Sequence, residues 1–149
     1  MRVKMLLGVL SVWALDQFSK YLALTHLELG RSLAILPGIF HLTLTYNTGG
    51  AFGLFYEYGD LIAILAAGAS LTILGVLLWN KPRQPTMTLG LIGIAGGALG
   101  NLTDRWLPER GAVVDFLDFR IWPVFNLADT AIVLGTGLVL LGLLQREGE

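Results

Sequence analysis

Apolar residues run almost unbroken through four stretches of the chain, residues 3–24, 61–79, 87–102 and 128–144, and polar residues collect between them. A helix needs roughly 20 apolar residues to cross the hydrocarbon core of a bilayer. The pattern therefore predicts four transmembrane helices, the third and fourth short enough that their polar ends lie at or just inside the interface. Two longer connections, residues 25–60 and 103–127, are the predicted outer regions. Within the first, IFHLTLTY (residues 39–46) sets Leu42, Leu44 and Tyr46 against His41, Thr43 and Thr45. That period of two predicts a strand with one apolar face. NTGGAFG follows, where Asn47 and the glycines permit a sharp backbone path and close approach to a bound chain. The expected fold class is an all-α integral membrane protein, four transmembrane helices with a small extracytoplasmic β element and outer loops, in one domain over residues 1–149.

Basic residues orient the spans. Arg2 and Lys4 stand at the start of the first, Lys81 and Arg83 sit in the tight NKPRQPT connection, and Arg146 follows the fourth, whereas residues 25–60 carry only Arg31 among Lys and Arg. Short loops rich in Lys and Arg stay in the cytoplasm, which puts both termini there. Arg105, Arg110 and Arg120 in the second outer region weaken the bias without reversing the assignment. The N-terminal MRVKMLLGVLSVWAL also fits a secretory signal peptide. Its apolar run continues past Asp16 and Lys20 with no small-residue cleavage site, so a retained span is expected.

Composition narrows the function classes. Of 149 residues, 54% are hydrophobic and 14% charged, which is too apolar for an ordinary soluble domain. A net charge of -1 offers no basic surface for nucleic acid. The absence of cysteine removes disulfides, thiolate metal sites and a cysteine nucleophile.

The candidate chemistry lies in polar residues placed where a bilayer makes them costly. Asp16 and Lys20 stand at i, i+4 on one face of the first span, and Asn101, Asp104 and Arg105 at i, i+3 and i+4 close the third. Asp115 follows by one short loop, and Asp129 opens the fourth span. Singly, each has a plain structural account: Asp16 and Lys20 as a self-neutralising pair, Asp104 and Arg105 as an interfacial pair, Gly96, Gly97 and Gly100 as a packing surface. Together they gather at one membrane face, which favours a site. Two converging carboxyls can share one proton, one being raised by burial and mutual repulsion, and so activate a water. His26 and His41 form no HExxH pattern, no serine is spaced to pair with either, and GGALGN lacks the lysine of a phosphate loop. A proton-coupled transporter and a non-catalytic scaffold remain the alternatives at this point.

LDQFSK (15–20), YNTGGAF (46–52), GGALGNLTDR (96–105), VVDF (113–116) and FNLAD (125–129) resemble, in order and spacing, the motifs of bacterial lipoprotein signal peptidase, signal peptidase II. The resemblance implies an aspartic endopeptidase of the bacterial inner membrane, with its active site near the outer face. Its substrates would be diacylglyceryl-modified prolipoproteins, cut on the N-terminal side of the modified cysteine. It makes Asp115 and Asp129 the catalytic dyad. It places Asp16, Lys20, Asn47, Gly49, Asn101, Asp104, Arg105 and Asn126 around substrate or in support. It also implies contact with membrane lipid, inhibition by globomycin-type compounds, and no metal or other cofactor. Gly50 departs from the pattern, which more often has alanine there.

Overall fold

Among the described residues, four helices and three strands follow in the order α1 (Arg2–His26), β1 (Ser32–Leu36), β2 (Phe40–Asn47), α2 (Gly59–Trp79), α3 (Pro85–Trp106), β3 (Val113–Asp118) and α4 (Leu127–Glu147). This is a computed structural model, and it describes residues 2–48, 59–79, 84–106 and 111–147. Local chemistry sets the helix ends. Pro85 opens α3, where its missing N–H would have had no partner anyway. Asn126 precedes α4 as its cap, and the chain leaves α1 through Gly30 at φ +74°, a conformation open to glycine. α3 and α4 run 22 and 21 residues, longer than the stretches expected from hydropathy, and at about 1.5 Å per residue each is about 30 Å long.

The burial pattern inverts that of a soluble protein. Leu6, Leu7, Leu10, Leu15 and Phe18 of α1 and Val133, Leu134, Leu140, Leu141 and Leu144 of α4 are exposed, while Asp16, Lys20, Asp104, Asp115 and Asn126 are wholly buried. Apolar side chains outside and charges inside suit a hydrocarbon surrounding. Among the described residues, Pro85–Trp106 and Leu127–Gln145 are long and apolar enough to cross a membrane by length and composition.

α3 touches the other three helices. Its glycines allow the approach: a Cβ on Gly96 would strike Val12 of α1, one on Gly97 the carbonyl of Ala128 in α4, and one on Gly100 the carboxylate of Asp16. On the far side from these charges, Met5, Val9, Leu77, Leu91 and Ala95 form an apolar core shared by α1, α2 and α3.

The β element is larger than the single strand expected. β1, β2 and β3 form an antiparallel sheet in that order, with Ser32 opposite Thr43, Thr45 opposite Asp115 and Asn47 opposite Val113. The segment expected to be a loop around Asp115 is therefore its third strand. One sheet face closes over the end of α1, where Ala23, Leu24 and Leu27 meet Leu42, Leu44, Val114 and Phe116. The alternation of β2 is only partly realised as burial, because Leu44 is buried but Tyr46 is exposed. After β3 the chain turns back, and Phe125 bonds to Leu117 in both directions, at 2.8 and 3.0 Å. That pinch delivers the start of α4 beside the middle of β3.

Candidate active site

Asn126 is the residue on which the two candidate carboxyls converge. It caps α4: its Oδ1 accepts the N–H of Asp129 at 2.8 Å, and its own N–H donates to Asp129 Oδ2 at 3.3 Å. This is a reciprocal capping box with aspartate at the third helical position. The Asn126 amide Nδ2 points the other way and donates to Asp115 Oδ1 at 2.7 Å. One side chain therefore holds a carboxyl on β3 and another on α4. Asn47, opposite Val113 in the sheet, donates to Asp115 Oδ2 at 3.1 Å, and Asn101 of α3 donates to Asp129 Oδ1 at 2.8 Å.

Behind these lies a buried ionic group. Lys20 Nζ is 2.8 Å from Asp16 Oδ2, 2.8 Å from Asp104 Oδ2 and 2.9 Å from Asn101 Oδ1, which satisfies its three protons. With Asn101 Oδ1 taken by Lys20 and by Asn126 Nδ2 at 3.0 Å, the Asn101 amide has to present Nδ2 to Asp129. The two acids also grip backbone. Asp16 Oδ1 accepts the N–H of Ala128 at 2.9 Å, and Asp104 Oδ2 that of Val114 at 3.1 Å. Each grip falls on the residue immediately before one of the two converging carboxyls. Adjacent residues on a helix do not face each other, and Asp104 bonds to Lys20 across the bundle. Arg105 is half-buried, in the field of Asp115, Asp129 and Asp104.

Burial pushes the Asp115 carboxyl up to about 7. The charge of Asp129 adds to the shift, and the amides of Asn47 and Asn126 and the charge of Lys20 oppose it. A carboxyl that keeps its proton near neutrality, held beside a second acid, can give one proton while its neighbour takes another. At the far end of β3, burial works to raise Asp118, but Thr43, the Arg120 N–H and the Arg120 guanidinium outweigh it and hold that carboxyl below its ordinary value. Among the described residues, no group of three or more histidines and acids is arranged to hold a metal ion.

The profile of the family described as signal peptidase (SPase) II matches residues 8–145. The chain belongs to the signal peptidase II family. Among its relatives, the lipoprotein signal peptidase of Moorella thermoacetica is 44% identical over 144 residues, covering 97% of this chain and 95% of that protein. That of Pelotomaculum thermopropionicum is 46% identical over 137 residues, covering 90% and 87%. Two solved structures share the fold. A bacterial membrane enzyme determined by the in meso method at 2.3 Å superposes with a TM-score of 0.87 at 28% identity, covering 97% of this chain and 89% of the other. A second, at 1.9 Å, gives 0.82 at 28% identity, covering 95% and 92%. The signal peptidase II chain is thus a peptidase and a membrane protein.

In this signal peptidase II chain, Asp16, Lys20, Asn47, Asn101, Asp104, Asp115, Asn126 and Asp129 form one hydrogen-bonded set, with Arg105 beside it. Gly49 lies outside the described residues. Sequence reasoning passed over Gln17, whose amide lies among Asp16, Gly100 and Asp104. Its signal was its place between the paired Asp16 and Lys20, but an uncharged side chain on a partly apolar helix carries no penalty that would mark it.

Proposed function

We propose that the chain is an aspartic endopeptidase that removes the signal peptide from diacylglyceryl-modified prolipoproteins, cutting on the N-terminal side of the modified cysteine. The observation that carries the reading is the convergence of Asp115 and Asp129 on Asn126 in a buried polar site. It is supported by relatives named lipoprotein signal peptidase.

Asp129, as the carboxylate, takes a proton from water while the oxygen attacks the scissile carbonyl carbon. Asp115, which keeps its proton near neutrality, gives it to the carbonyl oxygen. The resulting tetrahedral diol collapses as its C–N bond breaks. Asp129 passes its proton to the leaving amine, and Asp115 recovers one from a hydroxyl. Lys20, Asp16, Asp104, Asn101, Asn47 and Asn126 hold the two carboxyls in place, and Arg105 contributes positive charge beside them. The cycle calls for no metal or cofactor.

The four helices are read as four spans of the bacterial inner membrane, both termini in the cytoplasm and the site near the outer face. Membrane lipid then surrounds the exposed apolar helix faces, and a globomycin-type inhibitor competes for the site. Cleavage of a diacylglyceryl-modified peptide by the purified protein tests the reading. Asp115→Asn and Asp129→Asn should each abolish turnover while the protein remains folded. Near-normal turnover by either variant would sink it.

A further inference from the structure

Gln17 sits on α1 between Asp16 and Lys20, half-buried, with Nε2 3.2 Å from Asp16 Oδ2, 3.2 Å from Asp104 Oδ1 and 3.1 Å from the carbonyl of Gly100. Three oxygens around one amide end leave no choice of orientation: that end is the NH2 group. It spans the same two carboxylates that Lys20 spans. Two buried carboxylates held this close repel each other, and every donor that spans both offsets that repulsion. Each of them also holds one half of the dyad by its backbone, Asp16 through Ala128 N–H at 2.9 Å and Asp104 through Val114 N–H at 3.1 Å.

We infer that Gln17 is a positioning residue for the reaction: its amide ties Asp16 to Asp104 and so fixes the separation of the segments that carry Asp129 and Asp115. It touches neither reacting carboxyl, and its effect passes through the two structural acids. The inference rests on the aspartic reading. Its physical content is that a catalytic pair misplaced by about an ångström loses on the order of a hundredfold in rate.

The test measures kcat, KM and the pH–rate profile on a synthetic diacylglyceryl-modified lipopeptide, with full-length protein in one detergent. Gln17→Met keeps length and volume but loses the donors. It should lower kcat tenfold or more at nearly constant KM, and move the pH–rate profile. Gln17→Glu puts a third negative charge between the acids and should be poorer still. If Gln17→Met cannot be purified folded, Gln17→Asn, still a donor but one methylene shorter, carries the test and should also lose kcat. The inference is overturned by wild-type kcat per folded molecule in the variant measured, by a loss that follows the folded fraction with an unchanged pH profile, or by Gln17→Glu working as well as wild type. Asp115→Asn is assayed alongside. If it cleaves, the aspartic reading itself has failed; if it is inactive while Gln17→Met behaves as wild type, only the role of Gln17 has.

Discussion

Removing the ammonium of Lys20 should cost more than breaking an ion pair, because two buried acids depend on it. Lys20→Met deletes contacts of 2.8 Å to Asp16, 2.8 Å to Asp104 and 2.9 Å to Asn101 while keeping most of the apolar stem. Asp16 keeps the Ala128 N–H and Asp104 the Val114 N–H, with Gln17 shared, but both lose the ammonium that lies 2.8 Å from each. Removing one partner of a buried pair costs about 3–5 kcal/mol. In a chain of this size about 1 kcal/mol moves Tm by roughly 2–4 °C, so Lys20→Met should melt roughly 10 °C below the parent. Adding Asp16→Asn should recover only part of that, since Asp104 stays charged, and adding Asp104→Asn as well should recover most of it. Cleavage should stay low throughout, because Asn101 has lost one of the two bonds that orient its amide on Asp129. Thermal unfolding of the single, double and triple variants in one detergent, with lipopeptide cleavage beside it, is the assay. A Lys20→Met protein as stable as the parent, or losses that simply add across the series, would refute a coupled triad.

Asp115 gives a pH dependence of defined sign. Its folded value of about 7 lies above the ordinary 3.8, so its contribution to stability is complete below about 3.8 and is lost as pH rises through 7. Asp115→Asn should therefore gain stability relative to the parent between pH 4 and 8, and parental turnover should fall on the alkaline side of about 7 as the acid loses its proton; paired melting curves and a pH–rate profile check both. For topology, cysteines placed at Lys81 and Glu109 should differ toward an impermeant reagent on intact cells, Glu109 alone reacting; the reverse pattern would turn the site toward the cytoplasm.

Part of the buried polar cluster was legible in the sequence because a bilayer makes charges conspicuous: Asp16, Lys20, Asp104 and Asp129 interrupt or border long apolar runs. Their partners were less legible. Arg105 is next to Asp104 in the chain, but Lys20, far off in sequence, is the residue that reaches it. β3 was missed for a different reason. Val113, Val114, Asp115, Phe116 and Asp118 are all buried, so both faces of the strand are covered and it shows no alternation of apolar and polar positions. Hydropathy also trimmed the third span at residue 102, since Asp104 reads as an end. Because Lys20 and the Val114 N–H satisfy Asp104, the helix continues to Trp106. The capping box of Asn126 and Asp129 was not read from the sequence, and the spacing of three between them carries no sign that the same asparagine also holds Asp115.

On the proposed aspartic mechanism, the grips of Asp16 on Ala128 and of Asp104 on Val114 make proteolytic competence a property of assembly. α1 supplies the first and α3 the second, so Asp129 comes into register when α1 meets α4, and Asp115 when α3 meets β3. Helices that enter the bilayer separately and pack afterwards pass through a stage in which Asp16, Lys20 and Asp104 lack one another. With Asp115 and Asp129 as the catalytic pair, a newly inserted chain would be inert toward other polypeptides beside it. The association that neutralises its buried charges would be the same event that arms it.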